Sequence, residues 1–158
     1  MSQMLEEDVA AINAIDAVPS VLRLASARSG MGFIGICRVT AERWMACAIL
    51  DGIGLGISAG DELSLKTTIC DEVRGHGRAI IIDDIVDDPL YRDHPTPRLY
   101  GFRSYISAPI AVPDAGFFGT LFAVDPKPAR LSNSNALLCF DLLAGLIALE
   151  LSRRGWRD

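Results

Sequence analysis

The chain has 158 residues, half of them hydrophobic, a mean hydropathy of +0.28 and a formal net charge of −5. This length supports one domain with a substantial core, and the apolar content excludes a disordered chain. The acidic balance, with no cluster of Lys and Arg, excludes a nucleic-acid surface built on phosphate neutralisation.

The N-terminal stretch MSQMLEEDVAA has no basic region followed by an apolar run, so no secretory signal is expected. The longest apolar run, 136 to 151, is interrupted by Asp141 and Glu150 and is too short to span a bilayer. A cytoplasmic chain without membrane insertion is the expectation. Four cysteines, Cys37, Cys47, Cys70 and Cys139, form no CxxC pair and read as free core thiols.

Residues 1–29 carry a helical pattern. Leu5, Val9 and Ile12 recur at helical spacing, and Glu6, Glu7 and Asp8 suit a helix N-terminus. Pro19 interrupts or restarts the helix, Val21, Leu22, Leu24 and Ala25 are expected to face the core, and Gly30 ends it. Phe33 to Thr40 and Arg43 to Leu50 then read as a β-hairpin. Phe33, Gly35, Cys37 and Val39 would share one face of it, and Trp44, Ala46, Ala48 and Leu50 another. The run DGIGLGISAG at 51–60 lacks the Gly-Lys-Ser/Thr of a phosphate loop and is followed by Asp61 and Glu62, so it reads as a flexible connection. Leu63 to Leu65 adds a short strand.

The segment from Thr67 to Pro109 concentrates the unusual residues: both histidines, all three tyrosines, Cys70 and four closely spaced aspartates. Thr68 fits the cap of a short helix that Gly75 and Gly77 stop, and Arg78 to Ile82 is a buried strand. Asp88 followed by Pro89 reads as a helix cap and first turn, whereas His94-Pro95-Thr96-Pro97 is expected to be extended. Ser104 to Val112 and Gly116 to Val124 form a second hairpin. Ser132 or Asn133 caps a long helix to about Arg153. That helix has two stripes, Leu138, Leu142, Leu146 and Leu149 on one side and Phe140, Leu143 and Ile147 on the other. Two stripes imply two partners, the sheet and a second helix or subunit. The order of elements predicts a single α+β domain with an antiparallel sheet, terminal helices on one face and short helices with loops on the other.

The chain resembles the GAF family of sensor domains over nearly its whole length. The resemblance is carried by MGF at 31–33, RWMACAILD at 43–51, GDEL at 60–63, TTICDEV at 67–73, DDPLYRDHPTPRLYGFRSYISAPI at 87–110 and FFGTLFAVDPKPARL at 117–131. Together these are similar to the GAF modules of bacterial sensor histidine kinases and related two-component receptors. The resemblance implies a profilin-like sheet of five or six strands, a ligand pocket between its concave face and the loops of residues 67–109, and homodimers through the terminal helices, 1–29 and 132–154. It also implies a single sensor domain over residues 1–158. Some members of the family hold a bilin through a cysteine beside the loop histidine. Here His94 is followed by Pro95, and no cysteine lies between Asp71 and Leu138, so a covalent bilin is not expected. Another branch reduces free methionine sulfoxide through cysteines near the position of Cys70, but its partner cysteines are not matched. The NKFDE signature of cyclic-nucleotide-binding members is absent.

The candidate pocket comprises Trp44, Cys70, Asp87, Tyr91, His94, Tyr100, Phe102 and Tyr105. The aromatic residues offer apolar faces with polar handles or belong to the core. His94 contacts a ligand, serves as proton partner to Tyr91 or Asp87, or braces its loop. Cys70, at a helix N-terminus, is a reactive thiol or a small apolar plug. The aspartates lack EF-hand spacing and are explained as caps and strand exits, so no metal site is expected. The leading expectation is a non-catalytic domain that senses an unidentified small molecule and feeds a histidine kinase. The alternatives are a thiol-dependent reductase of the methionine-sulfoxide type centred on Cys70, or a dimerisation module with an empty pocket.

Overall fold

The structure is a computed structural model and describes residues 2–64, 69–132 and 134–158. Two helices open the chain, α1 (Ser2–Asn13) and α2 (Val18–Ser29). Pro19 sits in the first turn of α2, where its missing N–H leaves no intrahelical bond unmade. Gly30 closes the helix in the left-handed conformation, φ 72°, and donates to Ser26 O at 2.8 Å. Six strands follow: β1 (Phe33–Val39), β2 (Trp44–Asp51), β3 (Glu62–Leu63), β4 (Ile80–Ile82), β5 (Ser104–Val112) and β6 (Gly116–Asp125). Between them lie α3 (Cys70–His76), a 3₁₀ turn at Ile85–Asp87 and α4 (Pro95–Tyr100), and α5 (Ala136–Arg153) completes the chain. The strands form one antiparallel sheet in the order β3-β2-β1-β6-β5-β4. This is the α+β, profilin-like architecture expected from the sequence.

Alternation along the strands builds a core on each face of the sheet. Ile34 and Ile36 of β1 and Ile106, Ala108 and Ile110 of β5 pack against α2 and α5, together with Phe140 and Ile147. Phe33, Cys37, Trp44, Tyr105 and Phe122 face the other way, toward α3 and the loops. The face expected for β2 changes midway. Ile36 pairs with Ala48 but Cys37 pairs with Ala46, so Cys47 is the extra residue of a bulge. Trp44 and Ala46 therefore join the α3 side, while Ala48 joins the helical side and Leu50 packs against it. Leu24, expected in the core, is 43% exposed.

Two other expectations change. His94 to Pro97 is not an extended loop, because α4 begins at Pro95. Both prolines fall in its first turn, where backbone N–H groups have no intrahelical partner to lose. The start of α5 is Ala136, whose N–H donates to Ser134 Oγ at 3.1 Å, rather than a cap at Ser132. Asn133, the other expected cap, lies outside the described residues, as do Met1, Leu65, Thr67 and the Thr68 cap expected for α3.

Arg38 ties the helical face together. It points from β1 away from the α3 side and is 3% exposed. Its Nε donates to Asp8 of α1 at 2.9 Å, its Nη2 to Asp158 at 2.6 Å, and its Nη1 to the carbonyls of Val39, Phe117 and Phe118. The guanidinium also lies near the rings of Phe118 and Trp156, at 5.4 and 5.1 Å. Trp156 Nε1 donates to the other oxygen of Asp8 at 2.8 Å. One cation thus joins the first helix, the sheet and the segment after the last helix.

Candidate functional site

On the α3 side the sheet and its covering segments enclose a cavity of about 40 Å³. Phe33, Trp44, Tyr105, Phe122 and Val124 come from the strands. Cys70 and Ile69 come from the start of α3, and Leu55, Ile57, Leu63, Tyr100 and Phe102 form the remaining walls. Of the residues singled out in the sequence, Trp44, Cys70, Tyr100, Phe102 and Tyr105 line this cavity. Asp87, Tyr91 and His94 do not. Asp87 is exposed in the 3₁₀ turn. His94 Nε2 lies 3.5 Å from Glu72 of α3, and its ring is 6.2 Å from that of Tyr91. Burial and the Glu72 carboxylate push the Tyr91 hydroxyl up to about 12. Tyr91 and His94 thus tie the 88–94 segment to Glu72 of α3 outside the cavity.

The segment 52–60, read as a flexible connection, is ordered by one carboxylate. Asp51 accepts from the backbone N–H groups of Ile53, Gly54 and Gly56 at 3.0, 2.8 and 3.0 Å. Partial burial raises the Asp51 carboxyl, but these backbone donors outweigh it and hold it below its ordinary value. Gly54 and Gly56 take φ of 74° and 86°, conformations that favour glycine. The resulting turn delivers Leu55 and Ile57 to the cavity. No local pattern in the sequence announced that role.

The remaining aspartates have structural partners. Asp83 accepts from the N–H groups of Leu131 and Ser132, Asp84 is bonded twice by Arg103, and Asp88 caps Leu90 and Tyr91. Among the described residues, no group of three or more His, Cys, Asp or Glu side chains could hold a metal ion.

The chemistry of the cavity is concentrated at Cys70. Its sulfur is 3.2 Å from Tyr105 Oη and 3.2 Å from Thr120 Oγ1, which donates to it. Thr120 Oγ1 is in turn 3.1 Å from Cys37 Sγ, and the two thiols also interact directly. Burial pushes the Cys70 thiol up, but donors at Cys37, Thr120, Tyr105 and Trp44 together outweigh it and bring it down to about 7. Burial and the neighbouring Cys70 raise Cys37 well above the thiol range. Trp44 Nε1 and Ser107 Oγ are buried with no hydrogen-bond partner of normal geometry, so Trp44 acts on Cys70 only as a longer-range donor. Cys37 and Thr120 were missed in the sequence, since they lie 33 and 50 positions from Cys70 and meet it only because β1 pairs with β6 and α3 packs across both.

A six-stranded antiparallel sheet with helices on one face and a covered cavity on the other defines a profilin-like α+β domain. Comparison with protein families matches residues 5–151 to the GAF domain, and the chain belongs to that family. Three solved structures show how widely the fold is shared. The blue-light absorbing form of the Thermosynechococcus elongatus PixJ GAF domain has a TM-score of 0.68 at 17% identity, covering 86% of this chain and 83% of that one. The GAF domain region of a protein from Geobacter sulfurreducens PCA has a TM-score of 0.68 at 18% identity, covering 96% and 99%. Free methionine-R-sulfoxide reductase from Neisseria meningitidis, in complex with its substrate, has a TM-score of 0.65 at 15% identity, covering 98% and 87%. A search of the curated proteins by sequence finds no match.

The expectation against a covalent bilin does not stand. It rested on the lack of a cysteine beside His94, yet His94 lies outside the cavity while Cys70 lines it, with Cys37 close by. Similar folds include photoreceptor GAF domains and the chromophore-binding domain of a bacteriophytochrome. Cys70 thus places a thiol at the cavity wall, the position that the expectation had found empty. A group of bilin size would require Leu55, Ile57 and their turn to move outward, since the cavity is about 40 Å³.

Proposed function

We propose that the chain is a regulatory domain that senses a small molecule, possesses no catalytic role of its own and acts as the input module of a two-component histidine kinase. The observation that carries this reading is the cavity, whose almost wholly apolar lining includes a buried polar group with no hydrogen-bond partner of normal geometry, Trp44 Nε1. A buried polar atom left unpaired costs about 1–3 kcal/mol, so a flat, mostly apolar ligand carrying a hydrogen-bond acceptor would gain by satisfying Trp44. Trp44, Cys70, Tyr100, Phe102 and Tyr105 are the proposed ligand contacts.

The route outward runs through the sheet. A ligand that repositions β1 or β6 acts on Arg38, and through it on α1 and the segment after α5. Such a signal requires different ligand affinity for two helix arrangements. The partner for that change is a second copy of the chain. Leu138, Leu142, Leu146 and Leu149 stand 59, 66, 40 and 63% exposed along α5, an apolar stripe suited to a helical dimer contact. Among the described residues, no single helix is long and apolar enough to cross a membrane, and the proposed setting is cytoplasmic.

Native mass spectrometry of the chain expressed in cells tests this reading. The expected result is a retained mass that is released on denaturation, or that stays on Cys70 if the molecule is attached there. A chain that is bare under both conditions and shows no thermal shift with any of a panel of flat heteroaromatic compounds would overturn it. Turnover of free methionine sulfoxide would place the protein among enzymes instead.

A further inference from the structure

The four thiols occupy unlike surroundings. Cys47 is buried, and desolvation with the nearby Asp8 charge pushes it up to about 12, so it is inert at neutral pH. Cys139 is half-buried on α5, on the far side of the sheet from the cavity. Of the four, only Cys70 faces the cavity, and Cys37 lies next to it, the two sulfurs sharing the Thr120 hydroxyl at 3.2 and 3.1 Å. The arrangement of donors around it, Tyr105 Oη and Thr120 Oγ1 at 3.2 Å each, is what stabilises a thiolate. The cavity limits what can meet that thiolate. A water needs about 10–15 Å³ of such space, so about 40 Å³ admits a molecule of two heavy atoms with no movement of the walls.

We propose that Cys70 and Cys37 form a peroxide-responsive dithiol, in which Cys70 meets hydrogen peroxide in the cavity and Cys37 closes a disulfide behind it. In the first step the Cys70 thiolate attacks one peroxide oxygen. An S–O bond forms, the O–O bond breaks, and the departing hydroxide takes a proton from solvent to become water. In the second step Cys37 sulfur attacks Cys70 sulfur, the S–O bond breaks, and the leaving hydroxide becomes water with the proton given up by Cys37. Thr120 Oγ1, between the two sulfurs, is placed to relay that proton. Overall the two thiols lose two electrons and the peroxide gains them, with two waters formed. The inference holds whether or not the cavity also takes a larger ligand, so a bare cavity in native mass spectrometry would leave it standing.

The test is peroxide treatment of the wild-type chain, denaturing alkylation with N-ethylmaleimide, and peptide mass spectrometry. The expected product is a Cys37–Cys70 linked peptide, lighter by two hydrogens and reversed by dithiothreitol, with Cys47 and Cys139 still alkylated. Its initial rate should fall roughly tenfold from pH 8 to pH 6, as a thiolate with a pKa of about 7 is protonated. In Cys37→Ser, Cys70 should stop at a sulfenic acid that dimedone traps once the chain is unfolded in its presence. Four cysteines that alkylate equally before and after peroxide, a disulfide through Cys47 or Cys139, or a rate independent of pH would overturn the proposal. The wild-type measurements decide the matter even if Cys37→Ser fails to fold.

Discussion

Replacing Arg38 with methionine keeps an unbranched apolar side chain on β1 and removes the guanidinium that lies near Phe118 and Trp156. Asp8, 13% exposed, then loses its cation, and the carbonyls of Val39, Phe117 and Phe118 lose a donor. Removing one partner of a buried ion pair costs about 3–5 kcal/mol. Asp8 retains the bond from Trp156 Nε1, which favours the lower end. Asp158 is 57% exposed, so its pair with Arg38 adds only about 0–1 kcal/mol. For a domain of this size each kcal/mol moves the midpoint by about 2–4 °C, so Arg38→Met should lower Tm by about 6–20 °C in thermal denaturation followed by circular dichroism. Asp158→Asn should barely move it. In the double variant with Asp8→Asn the two losses should be less than additive, because the second change removes the stranded carboxylate. A loss below about 1 kcal/mol for Arg38→Met, or an equal loss for Asp158→Asn, would refute the view that this cation holds the helical face together.

Three further outcomes are expected. Sedimentation should give a dimer for the wild type and a monomer for Leu142→Glu combined with Leu149→Glu, while a wild-type monomer at high concentration would remove the α5 contact. Gly119→Ala would put a Cβ 1.8 Å from the Cys37 carbonyl oxygen, forcing β1 and β6 apart and costing about 3 kcal/mol in urea unfolding, and a loss under about 0.5 kcal/mol would contradict that close approach. Stability in reducing buffer should rise from pH 7 to pH 9, because folded Cys70, at about 7, is ionised there while the unfolded thiol, near 9.0, still holds its proton. It should fall above pH 9, where unfolded Cys47 ionises and the folded thiol, at about 12, does not. Urea titrations at stepped pH measure both limbs, and a rise from pH 7 to pH 9 that persists in Cys70→Ser would contradict the assignment.

Much of the fold could be read from local pattern. Proline at position 19, glycine at position 30 and the alternation of β1 and β5 specify their elements through backbone geometry and burial alone. Where reading failed, the cause was pairing between distant segments. The bulge at Cys47 depends on how β2 meets β1, and it reversed the faces expected for Ala48 and Leu50. Pro95 and Pro97 were read as helix breakers, although in a first turn they obstruct nothing. At the site, aromatic composition pointed to Trp44, Tyr100, Phe102 and Tyr105. The same reasoning drew in His94 and Tyr91, which their contacts with α3 keep outside the cavity. Cys37 carried no signal of its own, since a cysteine on a strand face is most often a small apolar residue. Its nearness to Cys70 comes from the sheet.

In the proposed function a small molecule is held in the cavity beneath Leu55 and Ile57, and the indole N–H signals of the two tryptophans report on it directly. Trp44 lies in the cavity wall, and Trp156 lies across the sheet beside Arg38. In ¹H–¹⁵N spectra recorded with flat heteroaromatic compounds bearing a carbonyl acceptor, the Trp44 signal should move with saturable dependence on concentration while that of Trp156 stays in place. A Trp44 signal unmoved by every such compound, or one that moves only in step with Trp156, would contradict the account.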